Sequence, residues 1–206
     1  MTLRKRLIGV SATLLVVYFL ILVGLGGSSL FSFGRGPATE PASAAALSEA
    51  MAAGTIEKFN YLSDQQSSTC SLQPEAVQMF PQGQRIQGAC CTSMDLHRYQ
   101  EQVKGLRQYS NLSQIPEDPY DIPVSLAKEL FAYQQNIALT AEQQTVYDQA
   151  MEMSAEGGPC CCKCWRWDAF EGQAKYLIAQ LQWDSEQIAE LWDLEDGCGG
   201  EGHEHA

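Results

Sequence analysis

The stretch TAEQQTVYDQAMEMSAEGGPCCCKC, Thr140 to Cys164, decides how this chain folds. Thr140-Ala-Glu-Gln143 is a capping box: the threonine hydroxyl can accept from the backbone of Gln143 while the glutamine reaches back to the Thr140 N–H. A helix is therefore expected from Ala141 to Ser154, ended by Gly157-Gly158. Pro159 suits the first turn of a further helix, where its missing N–H costs nothing. On that reading the cysteines occupy an opening turn, and Phe170, Ala174, Leu177, Ile178 and Leu181 form the buried stripe behind them.

The same signals recur on both sides. Asp184-Ser-Glu-Gln187 is a second capping box, ahead of Ile188, Leu191 and Trp192, and Gly197 reads as the C-cap. Upstream, Val124 to Tyr133 carries Leu126, Leu130 and Tyr133 on one side. Ser93 to Tyr109 carries Leu96, Tyr99, Val103 and Leu106 at three- and four-residue steps. Ala44 to Tyr61 is helix-prone, Ser63 to Gly88 reads as loop with one short helical turn, and Asn111 to Pro123 is a proline-rich connection. No period-two alternation is sustained after Ser43. The expectation is an all-α fold, an irregular bundle of four or five short helices behind an N-terminal transmembrane helix.

That membrane segment is Leu7 to Leu25, a run without charge preceded by Arg4, Lys5 and Arg6. As a helix it would span roughly 28 Å, close to a bilayer's hydrocarbon thickness. The basic residues place the amino terminus in the cytoplasm and the rest outside. A cleaved signal peptide is the alternative, and it too exports the remainder. The organisation read from sequence is an anchor at 1–33, a linker with helix at 34–62, a cysteine-rich helical domain at 63–198 and a flexible tail at 199–206. All 25 acidic residues follow Pro37, against nine basic ones, a net charge of −16 for that part. Phosphate binding needs a basic face, so no nucleic-acid partner is expected.

Eight cysteines carry the chemistry. Cys160, Cys161, Cys162 and Cys164 lie within five residues, and Cys90-Cys91 is followed by Met94 and His97. Thiolate, thioether and imidazole are the soft ligands that select copper(I) and zinc. On a helix, Cys160 pairs with Cys164 and Cys161 with Cys164. In an extended segment, Cys160, Cys162 and Cys164 point one way. On a helix starting near Cys91, the residues Cys91, Met94 and His97 drift slowly round one side, although each of Met94 and His97 alone is more ordinarily a core gap-filler or a surface residue. The candidate metal ligands are thus Cys160, Cys161, Cys162, Cys164, Cys90, Cys91, Met94 and His97, with copper(I) the first metal and zinc the second.

Pro159-Cys160-Cys161-Cys162-Lys163-Cys164 also fits P-C-x-C-x-C and so resembles the PCYCGC-motif family, small exported bacterial proteins of uncharacterised function. Cys161 stands where that family has tyrosine and Lys163 where it has glycine. The resemblance implies an extracytoplasmic bacterial protein with a helical carboxyl-terminal region, and it implies no mechanism.

Cysteines in an exported chain by default mean disulfides, so a disulfide-stapled interaction module is the rival reading. Neighbouring cysteines rarely pair without strain, and full pairing would crowd four bridges around one short segment. The chain has no H-E-x-x-H, G-x-S-x-G, phosphate loop or C-x-x-C-H. Cys161-x-x-Cys164 lacks the βαβ context of a thioredoxin-like motif, which leaves envelope thiol–disulfide exchange as the weakest of the three readings. Binding rather than turnover is expected. The partners expected are the membrane, through the N-terminal helix, and a metal-transfer or envelope protein.

Overall fold

The computed structural model describes residues 44–200. The expected membrane segment at 7–25, and His203 and His205 of the tail, lie outside the described residues. Among the described residues no helix is long and apolar enough to cross a membrane.

The described chain is mostly helical, with more and shorter elements than the periodicity suggests. In order they are α1 (Ala44–Ala50), α2 (Ile56–Ser63), α3 (Pro74–Gln78), β1 (Arg85–Gln87), α4 (Leu96–Leu106), a 3-10 turn (Arg107–Tyr109), β2 (Asp121–Pro123), α5 (Val124–Asn136), α6 (Ala141–Met153), α7 (Trp165–Leu181) and α8 (Ser185–Glu195). Both capping boxes form. Thr140 accepts from Gln143 N at 3.3 Å and Gln143 Oε1 accepts from Thr140 N at 3.0 Å. Asp184 and Gln187 repeat the arrangement at 2.9 and 3.1 Å. Asp95 caps α4 by accepting from Arg98 N at 2.8 Å.

Two expectations need correction. Strands are present: β1 and β2 pair antiparallel, with Ile86 opposite Ile122. Each is three residues long, too short to show alternation, and their pairing is set by contacts far apart in sequence. The second correction concerns the cysteines. α7 starts at Trp165, with Cys164 as its N-cap residue, so Cys160 to Cys164 precede the helix as a bent segment. The Cys164 N–H turns back to the Cys162 carbonyl at 2.9 Å. A helix would fan consecutive thiols about 100° apart, whereas the bent chain lets alternate residues converge.

The core lies between α5, α7 and α8. Ala127, Leu130 and Phe131 of α5 face Ala169, Phe170, Ala174, Leu177 and Ile178 of α7, with Ile188, Leu191 and Trp192 of α8 closing the other side. Each leucine, isoleucine and phenylalanine among them contributes about 1.5–3 kcal/mol on burial. Gly172 lets α5 and α7 approach closely: a Cβ there would sit 1.9 Å from the Leu130 carbonyl oxygen. A smaller apolar cluster joins Leu62, Tyr99, Val103 and Tyr120.

A buried ionic knot ties the first helices to the strand pair. Lys58 Nζ donates to Asp121 Oδ2 at 2.5 Å and to the Ser48 carbonyl at 2.6 Å, and Arg85 Nε donates to Asp121 Oδ1 at 2.6 Å. Burial pushes the Asp121 carboxyl up, but hydrogen bonds from Arg85, Lys58 and Ser48 prevail and hold it below the usual range. The knot fixes β1, from which the chain runs directly to Cys90.

Candidate metal centre

Four separate segments converge at one place: the turn carrying Cys70, the Cys90-Cys91 loop after β1, the bend at Cys160–Cys164, and the chain after α8 carrying Cys198. All eight cysteines are free thiols. Cys70 Sγ lies 2.6 Å from Cys91 Sγ, Cys90 and Cys91 are 3.5 Å apart, Cys91 reaches Cys161 at 3.6 Å, and Cys161 lies 2.8 Å from Cys198. Four groups of three have their sulfurs mutually within 4.8 Å: Cys70, Cys91 and Cys162; Cys90, Cys91 and Cys198; Cys160, Cys161 and Cys198; Cys160, Cys162 and Cys164. The last is the alternate-residue set that an extended segment brings together.

Backbone pairing holds these segments in register. Cys90 N donates to the Gly197 carbonyl at 3.0 Å, and Thr92 N to that of Cys198 at 2.8 Å. The chain can lie this close because Gly199 adopts φ +84°, and a Cβ there would fall 2.5 Å from the Thr92 carbonyl oxygen. Trp165 N donates to the Leu72 carbonyl at 2.9 Å, which anchors the Cys70 turn against the head of α7. Below, Gln102 bridges the Tyr120 hydroxyl, at 3.0 Å, and the Asp196 carbonyl, at 2.6 Å.

Arg166, buried, is the cation beneath the sulfurs. Its guanidinium donates to the carbonyls of Glu195, at 3.0 Å, and Pro119. It lies 5.2 Å from the Trp165 ring and 5.4 Å from that of Phe170. Burial opposes its charge, but the Cys90, Cys160 and Cys164 sulfurs more than offset this, and it stays firmly protonated. Cys160 sits at the centre of the hydrogen bonding among the thiols. Thiols of Cys164, Cys198 and Cys90 all donate to it and hold it far below the ordinary thiol range. The donors move the other way: donation to Cys160 pushes Cys90 up to about 12 and raises Cys164 and Cys198 as well. Cys91 and Cys162 are raised chiefly by burial. The grouped sulfurs could hold a metal ion, and binding there would release thiol protons.

Six of the residues singled out from sequence, Cys90, Cys91, Cys160, Cys161, Cys162 and Cys164, meet here. Met94 packs instead against the Leu62–Tyr99 cluster, with its sulfur 3.9 Å from Ser63 Oγ. The His97 side chain is 84% exposed and pairs with Glu101 at 3.1 Å on its own helix. Cys70 and Cys198 join the group without having been singled out. For Cys198 a signal existed in the glycines of Gly197-Cys198-Gly199-Gly200, which permit close backbone approach. For Cys70 there was none beyond residue type. Cys91 and Cys161 are exposed, giving incoming ions a route. A groove of about 420 Å³, lined among others by Ser63, Gln65, Ser68, Cys90 and Cys91, opens beside the first of these.

No protein-family model, curated protein or solved structure matches this chain.

Proposed function

We propose that this protein binds copper(I) through its thiolates and serves in sequestration or delivery of that ion. It does so outside the cytoplasm, held at the membrane by the Leu7–Leu25 segment. The observation that carries the reading is the convergence of eight free cysteines in groups of three. Thiolates select soft ions. Copper(I), a closed-shell cation, accepts three sulfurs in a plane, whereas structural zinc sites take four ligands in a tetrahedron. Copper(I) is therefore preferred over zinc.

The test uses the full-length protein, purified anaerobically with a reductant, loaded with copper(I) or zinc(II), and challenged with a chelator for each. Retention of copper(I) against a high-affinity copper(I) chelator, with zinc removed more easily, is the expected result. Metal below one equivalent after copper(I) loading would remove the proposal.

A second reading has its own observation: the Cys70–Cys91 and Cys161–Cys198 sulfurs, at 2.6 and 2.8 Å, are placed to oxidise to disulfides. A disulfide-stapled module would carry both bridges as isolated, which mass spectrometry without reductant detects.

A further inference from the structure

The four three-sulfur groups are not independent. Cys91 belongs to the Cys70 group and to the Cys90 group. Cys198 belongs to the Cys90 group and to the Cys161 group. Cys160 links the Cys161 group to the Cys164 group, and Cys162 links the Cys164 group back to the Cys70 group. The sequence of shared residues closes on itself. Four cysteines (Cys91, Cys160, Cys162, Cys198) each serve two groups, and four (Cys70, Cys90, Cys161, Cys164) each serve one.

We propose that the eight cysteines form a single tetranuclear thiolate ring, with one copper(I) in each three-sulfur group and a bridging sulfur between successive ions. This rests on the copper(I) reading above and adds to it the number of ions, the role of each cysteine and the all-or-none character of filling. Thiolate sulfur has the lone pairs to bridge two soft cations. The ligand count closes: each of the four ions takes two bridging sulfurs and one terminal sulfur, which uses all eight cysteines. Charge also closes in a definite way. Eight thiolate sulfurs bind four copper(I) ions, their thiol protons leaving to water, so the filled ring carries four negative charges. Arg166, buried beneath the cysteines, offsets part of that charge. No electron moves in the step, and copper enters and leaves as copper(I).

Sharing makes filling cooperative. An ion in one group deprotonates and orients two sulfurs that already belong to its neighbours, so the next ion meets a more prepared site. Partly filled rings should be scarce beside empty and full ones.

The bridging and terminal roles can be told apart at two exposed positions, where replacement disturbs the core least. Cys91 is bridging and Cys161 terminal, and both are exposed. The experiment is native mass spectrometry of the reduced full-length protein in a mild detergent during stepwise copper(I) addition. The wild type should go from the metal-free species to the four-copper species with little between them. Cys161→Ser breaks one group and leaves three; Cys91→Ser breaks two and leaves two. Full loading should fall accordingly, further for Cys91→Ser. Circular dichroism of each metal-free variant checks that the fold is retained. If either misfolds, the terminal Cys70→Ser and the bridging Cys162→Ser make the same comparison. Saturation at one or two ions in the wild type overturns the ring, as does equal loss from the bridging and terminal variants. Either outcome with copper(I) tightly held leaves the copper(I) reading standing, whereas no retained copper defeats that reading first.

Discussion

Glu195 ends α8 three residues before Cys198, fully buried, and its charge state should set how the stability of the metal-free domain depends on pH. Its Oε1 accepts from Gln173 Nε2 at 2.7 Å, while Oε2 has no partner. Burial, only partly opposed by the Gln173 hydrogen bond and the Arg166 charge, raises its pKa from 4.5 to about 8. The folded state thus holds this proton more tightly than the unfolded state. Stability is full below pH 4.5 and is lost as pH rises toward 8. At ~1.4 kcal/mol per pH unit the whole effect reaches roughly 5 kcal/mol. Asp118 has the same sign, since burial raises it from 3.8 to about 6, so its share is spent by about pH 6. Cys160, held far below the ordinary thiol range, contributes with the opposite sign over about pH 6.5 to 8, so Glu195 is read as the difference between the wild type and a variant that cannot ionise there, up to ~2 kcal/mol across that window. Glu195→Gln keeps the volume and the acceptor for Gln173 but cannot ionise. With an m value of ~2 kcal/mol/M, urea unfolding of the reduced, metal-free protein followed by circular dichroism should show the wild-type midpoint falling by roughly 1 M relative to the variant's across that window. Parallel pH dependences for the two proteins would refute the reasoning and mean that Glu195 is solvated.

Other consequences are open to direct measurement. Gly172→Ala should destabilise by about 1–3 kcal/mol, because wedging α5 from α7 outweighs the ~0.5–1 kcal/mol that alanine gains in a helix; a thermal melt equal to or above that of the wild type would contradict the close contact. His97→Ala and Met94→Leu should leave copper(I) capacity unchanged, since the histidine faces solvent and the methionine packs on Leu62 and Tyr99; a lost equivalent by metal analysis would say otherwise. Treating the metal-free protein with diamide, which takes two electrons and two protons per thiol pair and is itself reduced to the hydrazine, should form Cys70–Cys91 and Cys161–Cys198 first. Peptide mapping reads the pairing, and first bridges inside Cys160–Cys164 would oppose the observed geometry.

What was legible in the sequence was local. The capping boxes at Thr140 and Asp184 act within four residues, and the helices they open begin where the pattern places them. The strand pair was invisible because Ile86 meets Ile122 across an intervening helix, α4, and neither strand is long enough to alternate. Pro159 looked like a helix start by a local rule, yet the helix waits until Trp165, since five residues of bent chain are needed to turn three thiols toward partners at 70, 90, 91 and 198. The same long-range geometry explains why spacing alone picked out the Cys160 cluster and the Cys90 pair but passed over Cys70 and Cys198. Each of these two stands alone in sequence, and only the folded chain gives it neighbours. Met94 and His97 show the converse: the spacing beside a cysteine pair is a coincidence of sequence when the helix starts only at Leu96 rather than near Cys91, leaving Met94 ahead of it on the small apolar cluster and His97 facing water.

Sulfur from four distant segments must hold the metal together, and X-ray absorption at the copper edge of the loaded, full-length protein addresses that directly. It should give copper(I) with only sulfur neighbours, close to three per ion, and a copper–copper scattering path from ions that share thiolates. Nitrogen or oxygen neighbours around copper, or isolated ions with no metal neighbour, would contradict it.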